Sequence, residues 1–201
     1  MYDQIQEEKP KGFPGFIAFI AAIGSFVFGS IEALVTAVAL VIVLYLFILT
    51  PHEVVGRSMY PTYKDGEILL ANKVVYRVSQ PKRGDVVIFK HSATEDYIKR
   101  IIGLPGDQVS LRDGNIYVND KILSESDYLS DTIYTDKGRY LDEGDVVSVP
   151  DDSVFVCGDN RPHSSDSRDF GPIPITDIKG KVWIVYFPFD HFRVVKHANY
   201  E

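Results

Sequence analysis

The chain has 201 residues, 45% of them hydrophobic and 24% charged, a near-average balance that excludes wholesale disorder, collagen-like repeats and a polytopic membrane protein. That length holds one ordinary domain of about 100–150 residues with an appendage, not two full catalytic domains. The net charge of −7 resides in residues 124–152, where nine acids face two bases; with no basic stripe to follow phosphates, the composition argues against nucleic acid as a partner.

The first element is an apolar run over residues 16–49 whose one charge is Glu32. As a single helix its 34 residues would measure about 51 Å against a hydrocarbon core of about 30 Å. A carboxylate is expensive at the bilayer centre and cheap at its edge, which puts Glu32 at the interface. The expected division is an N-terminal tail and interfacial helix over residues 1–30 and a transmembrane anchor over 31–50, stopped by Pro51. Gly15, Gly24 and Gly29 favour an interfacial helix over a second span, so one span is expected. The run exceeds the core of about 7–15 residues in a cleavable signal, and no small-x-small site follows it, so it reads as a retained anchor. Flanking charges lean towards an N-terminus inside the cell.

From residue 51 onward short β-rich runs follow, at 67–75, 85–89, 97–102, 108–111, 115–118, 145–149, 154–157 and 181–187, each bounded by Gly, Pro, Asn or Asp. Asp113-Gly114 between two of them is a hairpin signal, because a two-residue type I′ turn needs positive φ at both positions. No helix-length amphipathic pattern recurs. Residues 51–201 therefore read as a mainly β domain of folded antiparallel sheets, barrel-like or sandwich-like, with 124–152 as an acidic accessory segment. The lone Cys157 excludes an intramolecular disulfide and a cysteine zinc site.

Three segments are richer in functional groups than strands require. Gly56-Arg57-Ser58-Met59-Tyr60-Pro61-Thr62 begins close behind the anchor, so whatever Ser58 does is done near the bilayer. In Tyr97-Ile98-Lys99-Arg100-Ile101-Ile102, alternation puts Lys99 on one face and Arg100 on the other. An edge strand guarded by two charges is the plainer account. Desolvation, however, can turn a lysine into a neutral amine that accepts a proton, whereas arginine stays charged. The third segment, 158–171, is crowded with Asp, Asn and Ser. Arg161 and Arg168 oppose a calcium site there, and a scaffold with internal Asp–Arg pairs fits better.

In this order behind an anchor, Ser58-Met59-Tyr60-Pro61-Thr62, Arg83-Gly84-Asp85-Val86-Val87-Ile88-Phe89, Tyr97-Ile98-Lys99-Arg100 through Asp107, and Gly158-Asp159-Asn160-Arg161 through Arg168 resemble the type I signal peptidases, membrane-bound serine–lysine proteases. The resemblance implies an endopeptidase that removes signal peptides from exported preproteins, with Ser58 as nucleophile and Lys99 as general base. It puts Ser164 in the place of the hydroxyl that orients the amine, and Asp166 and Arg168 in those of the residues that brace the site. Gly56 stands where some members carry an oxyanion-donating Ser, and Pro162-His163 replaces a commoner Asp-Asn. No cofactor or metal is implied. The implied partners are secretory preproteins with small residues before the cut, the lipid bilayer and the secretion translocon, with the catalytic domain on the extracytoplasmic side of the plasma membrane. The rival from another class is a non-enzymatic, membrane-tethered β-domain that binds a protein.

Overall fold

The computed structural model describes residues 14–130, 133–196, 198 and 200; residues 1–13 of the expected tail lie outside them. The chain divides into an N-terminal unit ending at Leu44 and a second unit, Tyr45–Glu201.

The described residues of the first unit form one helix, α1 (Pro14–Phe47), whose last three residues belong to the second unit. The expected break near Glu32 is absent: nothing in the run removes a backbone hydrogen bond, and glycine in an apolar helix weakens it without ending it. Its serine and threonine hydroxyls are satisfied internally, Ser25 on the Ala22 carbonyl (3.0 Å), Ser30 on Phe26 (2.8 Å) and Thr36 on Glu32 (2.9 Å). Apolar and exposed all round, with a mean hydropathy of 2.5 over Gly15–Tyr45, the helix is long and apolar enough to cross a membrane. Pro51 does not stop it. The helix ends at Phe47, and Leu49–Glu53 is already a strand.

Among the described residues the second unit has twelve strands: β1 (Leu49–Glu53), β2 (Ile68–Asn72), β3 (Val86–Lys90), β4 (Asp96–Gly103), β5 (Gln108–Arg112), β6 (Asn115–Val118), β7 (Lys121–Ile122), β8 (Val146–Ser148), β9 (Ser153–Cys157), β10 (Ile173–Pro174), β11 (Ile178–Phe187) and β12 (Arg193–Val194). One antiparallel sheet runs β1-β2-β11-β3-β4-β9-β10 with β12 beside β11, and a second runs β7-β6-β5-β8. Pro51 is tolerated because β1 is an edge strand and needs no second ladder partner. The expected strand to residue 75 ends at Asn72, whose side-chain oxygen takes the amides of Val74 (2.9 Å) and Val75 (3.2 Å) and turns the chain into α2 (Val75–Val78). The Asp113-Gly114 hairpin forms as read, with φ of 50° and 73°.

The sheets share a core. Ile102 of β4 and Phe155 and Cys157 of β9 pack with Val109, Leu111, Ile116 and Val118 of the second sheet. On the other face Val87, Phe89, Ile101, Val154 and Val156 form a separate cluster. Strand β4 thus lies between β3 and, from Arg100 onward, β9, with apolar clusters on both faces; only residues 96–99 keep an open edge, and the two cations do not guard it from the surface. Both are buried, Lys99 at 3% exposure and Arg100 at 1%.

Candidate active site

Ser58 lies in the loop between β1 and β2, which buried anchors pin at several points. Met59 and Tyr63 are each 1% exposed, and the Tyr63 amide donates to the Met59 carbonyl (2.9 Å). The loop beyond β9 grips from the other side: the Asn160 amide donates to the Ser58 carbonyl (3.0 Å) and its side-chain nitrogen to the Arg57 carbonyl (2.9 Å). Only glycine fits at 158, because a Cβ there would lie 2.4 Å from the Ser58 carbonyl oxygen and 2.2 Å from Ser164 Oγ.

Register puts Lys99 opposite Val87 of β3, and its amine sits 2.8 Å from Ser58 Oγ. No carboxylate pairs with that amine among the described residues. Burial lowers its pKa to about 8, with Asp166, Cys157 and Asp159 partly opposing the shift. A protonated amine donates to Ser58 Oγ, and a neutral one can take the hydroxyl proton.

Asp166 and Arg168 pair with each other. The Asp166 carboxylate is fully buried and accepts from Arg168 Nε (2.8 Å), Arg168 Nη2 (2.8 Å) and the Gly158 amide (2.9 Å). Burial pushes its pKa up, but these donors win and hold it below the ordinary carboxylate value. Arg168 also reaches the carbonyls of Asp136, Arg161 and Ser164. Ser164 was expected to orient the Lys99 amine, and that bond is not made. Its hydroxyl is buried against Gly158, close enough to favour the charged Asp166, yet without a hydrogen bond of good geometry. Gly56 lines the groove with φ of 88°, and its amide is taken by Asp65 Oδ1 (2.7 Å).

Sequence reasoning missed the long-range pairs. Of the loop's charges only Asp166 and Arg168 pair within it. Asp159 binds Arg100 of β4 with both oxygens (2.9 and 2.7 Å), and Arg161 pairs with Glu125, which ties the acidic segment to the loop beyond β9. The sequence signal, Lys-Arg on β4 followed by Gly-Asp-Asn-Arg, does not say which cation meets which acid.

The Ser58–Lys99 contact lies in a groove of about 310 Å³ walled by Val54, Val55, Met59, Tyr97 and Ile98, with His163 and Ser165 at its rim. Two strand edges face it. β1 pairs only with β2, and β9 joins β4 only from Arg100 onward, so the backbone of residues 96–99 is open on that side to an extended peptide.

Residues 27–187 match the family described as "Signal peptidase, peptidase S26". Signal peptidase I of Bacillus caldolyticus is 38% identical over 162 residues, 78% of this chain and 89% of the relative. That of Bacillus amyloliquefaciens is 38% identical over 168 residues, covering 82% and 90%, and signal peptidase IB of Staphylococcus aureus (strain COL) 38% over 170 residues, covering 78% and 88%. A solved signal peptidase I from Enterococcus faecalis V583 is 31% identical, with a TM-score of 0.42 over 52% of this chain and 97% of that one.

Proposed function

Because the chain belongs to the signal peptidase family of serine peptidases, peptidase S26, we propose that it cleaves signal peptides from exported preproteins with Ser58 as nucleophile and Lys99 as general base. The carrying observation is the 2.8 Å contact between Ser58 Oγ and a lysine amine withdrawn from water. A serine hydroxyl is a weak nucleophile until a nearby base takes its proton, and an amine with a pKa of about 8 is neutral in about a tenth of molecules at pH 7 and more above it. Oγ attacks the scissile carbonyl as Nζ receives the proton. The Ser58 amide, which donates to no protein group among the described residues, faces the developing oxyanion. Nζ then hands its proton to the leaving amine, and water activated by the same amine hydrolyses the ester. Asp166 and Arg168 brace the loop that holds Ser58 in reach. Gly56 supplies the turn before Ser58, and its amide, committed to Asp65, is no oxyanion donor.

The substrate lies extended in the groove between the two open edges, its apolar segment in the bilayer beside α1 and its cut site on the extracytoplasmic side, where a translocon delivers it. Membership of the signal peptidase family implies small side chains at the first and third positions before the cut. Purified full-length protein in detergent is expected to cut a preprotein once, after a small-x-small sequence. Enlarging either small residue lowers kcat/KM about 5- to 150-fold, through misfits of about 1–3 kcal/mol. Mass analysis of the products checks this, and cleavage beside Arg or Phe contradicts it.

Gly158→Ala tests the close approach at the nucleophile. The added methyl displaces Ser58 rather than solvent, so the expected result is a fall of about 10²-fold in kcat at a stability cost of about 1–3 kcal/mol. Parallel kinetics and thermal melts check it.

A further inference from the structure

A second cavity, of about 620 Å³, opens beside the catalytic groove, and its walls include Thr50, His52, Lys73, Tyr76, Arg77 and Lys179. Three of these are permanent cations, and none of the lining residues is an acid. Arg77 is exposed and makes no ion pair among the described residues. Lys179 is shared with Asp96 (2.7 Å), which lines the catalytic groove, so one ion pair joins the two cavities. Burial lowers the pKa of His52, and Lys179 and Lys73 are near enough to lower it further against the pull of Asp96. The imidazole is then a neutral hydrogen-bonding wall. Thr50 adds a buried hydroxyl without a hydrogen-bond partner.

Chain connectivity locates this cavity. The Lys73 amide donates to the Ile48 carbonyl (2.9 Å), and Leu49 pairs with Asn72. Helix α1 ends at Phe47, so Thr50 stands three residues beyond the apolar helix and Lys73 is hydrogen-bonded next to its exit. A basic pocket at that position meets the headgroup layer, where Lys and Arg stems lie along apolar surface and their charges meet phosphates.

We propose that this cavity binds the phosphate headgroup of an anionic phospholipid, with Arg77, Lys73 and Lys179 as its cationic contacts. The lipid would fix the β unit at the bilayer surface with the catalytic groove alongside. A lipid is favoured over a free phosphate because the pocket adjoins the end of an apolar helix, where acyl chains are at hand. The inference concerns lipid binding and stands apart from the peptidase reading.

Native mass spectrometry of the full-length protein in non-ionic detergent, titrated with short-chain phosphatidylglycerol, tests it. One lipid is expected to bind at least about tenfold more tightly than the matched phosphatidylcholine. Each cation removed should weaken binding about fivefold, so Arg77→Gln, at an exposed site, loses about fivefold with an unchanged thermal midpoint, and Lys73→Gln/Arg77→Gln loses about 25-fold. Millimolar inorganic phosphate should leave the bound lipid in place. Equal binding of the two lipids, or full binding by the double variant, overturns the site. Displacement by inorganic phosphate overturns the lipid as its ligand.

Discussion

Ser58→Ala and Lys99→Met are each expected to lower turnover about 10⁴-fold or more, and the double variant to be no slower than either. In the proposed mechanism the two residues share one proton. Ser58 Oγ and Lys99 Nζ touch each other at 2.8 Å, so removing either partner leaves the other without a task, and the losses do not add. The two variants part company in stability. Lys99 is 3% exposed, and burial already works against its charged form. Replacing the amine by the similarly shaped methionine removes that penalty, so the thermal midpoint of Lys99→Met should hold or rise. Lys99→Arg is expected to be equally inactive, because a guanidinium does not give up its proton. A Lys99→Arg protein retaining more than about a tenth of the wild-type rate would refute the assigned base.

The largest loss of stability is expected from Asp159→Ala. Arg100 is 1% exposed, Asp159 is fully buried, and the two are joined by a bidentate contact with the Tyr128 ring stacked 3.9 Å from the guanidinium. Deleting the carboxylate strands a cation in the interior at a cost of about 3–5 kcal/mol, about 6–20 °C in thermal midpoint for a chain of this size. Removing the charge on both sides is different. Arg100→Met/Asp159→Leu fills the space with apolar atoms and should recover most of that loss. Thermal melts of the detergent-solubilised protein separate the cases: a double variant as unstable as Asp159→Ala would mean that packing, not charge, makes the site sensitive.

Sequence patterns disclosed what depends on local chemistry. The Asp113-Gly114 turn was legible because positive φ at two successive residues has few sequence solutions. Ser58 and Lys99 were legible because their motifs occur in a set order behind an apolar run. Alternation separated Lys99 from Arg100, and their faces are distinct, but a strand pattern does not report its neighbours, so the central β4 read as an edge. The continuity of α1 through Glu32 was hidden because membrane depth constrains charge rather than backbone helicity. β1 was hidden because Leu49 and Thr50 extend the apolar run without a visible change of period. The pairs Arg100–Asp159 and Arg161–Glu125 join residues 59 and 36 positions apart; chain folding decides such pairs, and no local periodicity encodes them. The same holds for Ser164, whose hydroxyl is packed against Gly158 close to Asp166 and makes no hydrogen bond of good geometry.

The measurement that bears most directly on the Ser58–Lys99 dyad is the pH dependence of kcat/KM, because it reads the protonation of the base in the free enzyme. The base must be neutral to accept the serine proton, so activity should be low in acid and rise through a limb centred near 8, the value to which burial brings Lys99. His163 at the groove rim supplies the control. His163→Asn should keep most of the activity and the same limb. A limb near 6–7, the range of a histidine base, that disappears with His163→Asn would contradict the account and move the base from Lys99 to His163.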